Sequence, residues 1–74
     1  MQRSDKTALT KQIGKRLVQL RESKKQSQET FAARLGISRG YLSDLERGAR
    51  ELSVTTLAAV CKKHGTTPNK LLGY

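Results

Sequence analysis

The sequence predicts a small all-α domain of five helices joined by short loops. Two observations carry this. A single Pro and the lack of any alternating β-branched stretch argue against strands. Apolar residues instead recur at three-to-four spacing, with Ser, Thr and Gly punctuating the intervals. Seventy-four residues suffice for one domain, near the lower limit for a self-sufficient core. A flexible N-terminal tail is expected over residues 1–6 and the folded domain over residues 7–74.

The first helix places Leu9, Ile13, Leu17 and Leu20 on one face, with Lys11, Lys15, Arg16 and Arg21 around the rest. Ser4 or Asp5 is its candidate cap, and it should end near Lys24. Ser27 caps the second helix, with Glu29 in the first turn, Phe31, Ala32 and Leu35 inward, and Gly36 as its stop. Ser38 caps the third, whose apolar residues are Tyr41, Leu42 and Leu45, and Gly48 ends it. Ser53 opens a fourth helix, with Val54, Leu57, Ala58 and Cys61 expected inward and Gly65 as its stop. Thr67 followed by Pro68 opens a short last helix through Leu72.

Composition narrows the function. Fifteen Lys and Arg against six Asp and Glu leave a net charge of +9, which favours anionic partners, nucleic acid before membrane. With one Cys there is no internal disulfide, and nothing points to an oxidising compartment. The longest wholly apolar run, Leu57 to Cys61, is far short of a membrane span, and MQRSDKTALT has no apolar core of a secretory signal. A cytoplasmic location, nucleoid-associated when bound to DNA, is therefore expected. Aromatic residues are limited to Phe31, Tyr41 and Tyr74, too few for a base-stacking sheet.

No catalytic constellation is visible. The acids are scattered, and nothing brings a Ser, Asp and His together. Cys61 and His64 are i and i+3 on one helix, but a structural zinc site needs four ligands. No enzyme activity, metal or cofactor is expected. Cys61 reads as core and His64 as a last-turn helix residue.

The informative segment is Gln28 to Gly48. Two short helices meet across a turn of about three residues at Gly36, with small Ala32 where they approach and Ile37 plugging the angle. This is what a helix-turn-helix requires: one helix across the DNA backbone, the second in the major groove.

SQETFAARLGISRGYLSDLERGAR resembles the phage-repressor-like (Xre/Cro type) helix-turn-helix family. The resemblance runs from about Ile13 to Leu72 and rests on Arg21 in QLRESK, Ser27-Gln28, Ala32, Gly36, YLSDLERG and the Pro68–Leu72 close. SRGYLSDLERGAR is also similar to the controller proteins of restriction-modification systems. The resemblance implies a repressor-like five-helix DNA-binding domain, commonly dimeric on an inverted repeat. It also implies an ion pair between Arg21 and Glu46, and phosphate contact by Gln28, beside Ser27. Arg47 and Arg50 should lie along the backbone, with Tyr41 part core and part phosphate contact. On the outward face of the third helix, Ser38, Arg39, Ser43 and Asp44 are the candidate base readers. Arg39 can pair guanine O6 and N7, with a phosphate contact or a free surface Arg as the alternatives. Asp44 either accepts from cytosine N4 or orients Arg39 or Arg47.

Three departures stand out. Lys25 and Gln26 occupy places where the family often has Gly and then Leu or Met, which predicts a more open or more polar first connection. Gly40 sits inside the recognition helix with no side chain to read a base. No Pro follows Glu51.

These readings converge on a sequence-specific regulator of transcription that binds double-stranded DNA as a homodimer, with Leu52, Val54, Leu71, Leu72 and Tyr74 as the candidate dimer contacts. No membrane partner and no small-molecule ligand are expected. The rival is a protein-interaction module of antitoxin or bridging type on the same fold. A third reading makes residues 6–25 a membrane-surface helix, which conflicts with their apolar face being needed by the core.

Overall fold

A computed structural model describes residues 2–73, with side chains from residue 8 onward. Its described residues form five helices and no strand: α1 (Gln2–Ser23), α2 (Gln28–Leu35), α3 (Arg39–Glu46), α4 (Val54–His64) and α5 (Pro68–Leu72). α1 begins at Gln2, ahead of the Ser4 or Asp5 cap expected for it. No Gly or Pro stands between Gln2 and Ile13 to stop a helix there.

The remaining starts are fixed by side-chain caps. Ser27, Ser38, Ser53 and Thr67 each accept a hydrogen bond from the backbone N–H three residues on, those of Thr30, Tyr41, Thr56 and Lys70. Each such cap contributes about 1 kcal/mol. The ends are equally regular. After α2, Gly36 takes the left-handed conformation (φ 73°), while Ile37 N–H donates to Ala32 C=O and Gly36 N–H to Ala33 C=O. This paired closure turns the chain sharply into α3. The end of α1 closes the same way, with Gln26 N–H to Arg21 C=O and Lys25 N–H to Glu22 C=O. The first connection is therefore no more open than the others. Its left-handed residue is Lys25 (φ 55°), the departure from the Gly that the family often has there.

α1 packs on α3 and α5, α2 packs on α3 and α4, and α5 also rests on α4. At the centre lie Leu17, Phe31, Leu42, Leu45 and Val60, joined by Ile13, Ala32, Leu35 and Leu71. Two expectations need correction. Leu9 stands at the rim, 36% exposed, rather than in the core. α4 is rotated from the predicted phase: Val54 is 82% exposed and Ala58 is exposed, while Leu57 and Cys61 are only half-buried. The inward face is instead Thr56, Val60 and His64. Two polar residues hold core positions, Thr56 through a local hydrogen bond and His64 through ring stacking. Thr56 accepts from Ser53 Oγ at 2.8 Å, and the His64 ring stacks on Phe31 with centroids 4.4 Å apart.

Candidate nucleic-acid interface

α2, the Gly36 turn and α3 form one unit, welded to α1 by a buried ionic cluster. Arg21 Nε lies 2.8 Å from Glu46 Oε2, and Arg21 Nη2 donates to Glu46 Oε1 at 3.1 Å. The pair is largely shielded, with the two side chains 17% and 5% exposed. The hydrogen bond to Glu46 raises the Arg21 pKa further above its usual value, against the opposing effect of burial. Arg21 Nη1 also donates to Gln26 C=O at 3.0 Å, so one guanidinium bridges the α1–α2 connection and the end of α3. Gln28 completes the cluster, its Nε2 donating to Glu46 Oε1 at 2.9 Å. That contact was not foreseen: the residue read as a phosphate ligand already ties α2 to α3. Sequence separation hides it, since the two lie 18 positions apart.

The buried side of α3 is Leu42 and Leu45. Arg39 and Gly40 are exposed, and Ser43 and Asp44 are half-buried on the same outward stripe. Arg39 has no ion-pair or hydrogen-bond partner for its guanidinium among the described residues. Ser38 holds the Tyr41 N–H at 3.0 Å, so its hydroxyl is engaged as the cap of α3. Ser27 plays the same part for α2, accepting from Thr30 N–H and donating to Thr30 Oγ1, both at 3.1 Å.

Asp44 pairs with Arg47 Nη2 and lies 3.6 Å from Arg50 Nε. Asp44 thereby engages both arginines that follow α3. The Arg50 guanidinium stands 5.5 Å from the centre of the Tyr41 ring. Tyr41 in turn donates through Oη to Glu51 C=O at 3.3 Å and accepts from Ser53 N–H at 3.4 Å. The half-buried Tyr41 thereby braces the α3–α4 loop from which Arg47 and Arg50 project.

A family described as Helix-turn-helix matches residues 17–71. The chain belongs to that family. This helix-turn-helix protein is 37% identical over 63 residues to the control protein C.BamHI of Bacillus amyloliquefaciens, covering 84% of this chain and 78% of that one. It is 38% identical over 64 residues to an HTH-type transcriptional regulator, y4dJ, of Sinorhizobium fredii, covering 86% and 83%. It is 33% identical over 61 residues to the immunity repressor protein of Bacillus phage phi105, covering 82% of this chain and 42% of that longer one. No solved structure matches. These relatives are named as a control protein, a transcriptional regulator and a repressor, and the helix-turn-helix family implies double-stranded DNA as the partner. Among the described residues no helix is long and apolar enough to cross a membrane.

Between α1, the α3–α4 loop, α4 and α5, an open apolar groove of about 280 Å³ is lined by Leu9, Ile13, Leu52, Val54, Leu57 and Leu72, together with Thr10 and Glu51. Three residues expected at a dimer contact, Leu52, Val54 and Leu72, border it. Leu71 does not: at 2% exposed it fills the domain's own core. Tyr74 lies outside the described residues.

Proposed function

We propose that the protein is a sequence-specific transcription regulator that acts as a dimer on an inverted-repeat DNA operator. One observation carries the reading: the outward face of α3 offers an unengaged Arg39 beside side-chain-free Gly40, above a braced platform of Arg47 and Arg50. Arg39 follows the Ser38 cap, so it projects from the first turn of α3, the end of a recognition helix that meets base edges. In this reading Arg39 reads a guanine, with Ser38, Ser43 and Asp44 beside it. Ser27, Gln28, Tyr41, Arg47 and Arg50 hold the backbone.

In this reading, occupancy of the operator follows protein concentration. Regulation by occupancy is also consistent with relatives named as control proteins and as an immunity repressor. The apolar groove around Leu52, Val54 and Leu72 supports self-association, because an open patch of this kind is better covered than left in water.

Binding-site selection from random duplexes tests the proposal. The recovered sites should be inverted repeats whose half-site centres lie about 34 Å apart, one DNA turn. Arg39→Ala should lower affinity for the recovered site by about 1–3 kcal/mol and leave binding to scrambled DNA nearly unchanged. A single half-site bound as tightly as the repeat would reject the dimer. Equal, weak binding to every duplex would reject sequence reading and favour the protein-interaction alternative.

A further inference from the structure

α1 crosses the end of α3 at backbone contact. A Cβ placed on Gly14 would lie 2.6 Å from Leu45 O and 2.7 Å from Glu46 O, so only Gly permits the crossing. A Cβ on Gly48 would lie 2.9 Å from Lys11 Cγ, so the Lys11 stem lies directly over the turn that follows α3. These two contacts carry the N-terminal half of α1 past that turn and set its exposed face beside Arg47. Between them runs a groove of about 480 Å³, lined by Ala8, Lys11, Gln12, Lys15, Glu46 and Arg47.

The groove is cationic. Its one acid, Glu46, has both carboxylate oxygens held by Arg21 and Gln28. Lys11 and Lys15 have no ion-pair partner among the described residues. Arg47 pairs with Asp44, but Asp44 is shared with Arg50. One reading confines the lysines to the carbonyl end of α3, where a cation is weakly favourable. Two features favour a polyanion instead. Arg47 follows Ser43 by four residues, so the groove continues the outward stripe of α3 that begins at Arg39. Lys11 and Lys15 stand one turn apart, about 6 Å along the helix, the scale of the step between neighbouring phosphates on one strand.

We propose that Lys11 and Lys15, with Arg47, hold backbone phosphates of the strand bordering the major groove in which α3 lies. This makes α1 a second DNA-binding element, and it rests on the DNA-binding reading above. The contacts are to phosphate and carry no sequence information.

The test compares the parent protein with the double variant Lys11→Gln/Lys15→Gln on two duplexes of about 30 base pairs, one carrying the selected site and one scrambled, across a salt series. The variant should bind both about tenfold more weakly at physiological salt, with the slope of log K against log salt shallower by about two. The ratio between the duplexes should not change. Chemical denaturation of the variant should give the parent's midpoint. A lower midpoint with unchanged DNA affinity and slope would overturn the proposal in favour of the helix-end role. Unchanged affinity, slope and midpoint would overturn it too, and would leave the groove to an acidic protein. Failure of the parent itself to bind either duplex is a different result, since it removes the DNA-binding reading and this proposal together.

Discussion

Glu46 is the residue on which most of the interface converges. Arg21 engages both of its carboxylate oxygens, Gln28 donates to one of them, and water reaches little of the group. Replacing one partner of such a pair strands the other charge, so Glu46→Gln should cost roughly 3 kcal/mol. Asp44 provides the contrast. It also pairs with two arginines, but these are mostly exposed, at 65% and 60%. Asp44→Asn should therefore cost under about 1 kcal/mol. Urea denaturation separates the two, and an unshifted midpoint for Glu46→Gln would reject a structural role for the cluster. At this scale the sequence was legible only where a resemblance supplied the partner. Arg21 and Glu46 lie 25 positions apart, and no local spacing joins them. Gln28 shows the limit: its position suggested a phosphate ligand, while its nearest acceptor comes from the far end of α3. Gly14 escaped notice because a Gly within a long helix has no local signature of the close crossing that needs it.

From α2 onward, helix starts and stops could be read from the chain because they are local. Ser and Thr accept bonds from N–H groups three residues away, and the Gly residues close the ends through bonds spanning at most five. Helix phase is not local, and α4 shows why. Counting apolar residues turned Val54 and Ala58 inward, but packing against α2 and α5 selects Thr56, Val60 and His64. A Thr methyl and a stacked imidazole fill core space that a hydropathy pattern assigns to water. Lys25 makes a related point, because an L-residue adopts the left-handed geometry at a cost of about 1–2 kcal/mol when the closure of α1 demands it. Within α3, Gly40 is the weak position. A Cβ there would meet nothing within 4 Å, so Gly40→Ala should be accommodated without strain. It should stabilise the domain by about 1 kcal/mol and raise the Tm by about 4–8 °C. Calorimetry measures this directly, and a lowered Tm would refute it. Weaker binding to the selected duplex by this more stable variant would assign Gly40 a close backbone approach to DNA.

The whole molecule combines a small core with a net charge of +9, and one core residue connects the two. His64 is buried against Phe31, and its Nε2 has no hydrogen-bond partner among the described residues. Burial, and then the positive charges of Lys24 and Arg34, hold its pKa below the ordinary value of 6.5. Below that ordinary value the unfolded chain takes up a proton that the folded one still refuses, so acidification favours unfolding. Stability contributed by the neutral ring is full above about pH 6.5 and declines as pH falls toward the folded-state pKa, each unit of separation amounting to about 1.4 kcal/mol. Below the folded pKa the ring is charged in both states and its contribution no longer changes. His64→Leu keeps an apolar group against Phe31 and removes the titration. Denaturation at about pH 7.5 and about pH 5.5 should show the parent losing stability on acidification and the variant losing much less. Equal losses in the two proteins would place the acid sensitivity elsewhere, and a parent more stable at the lower pH would reverse the sign of the argument.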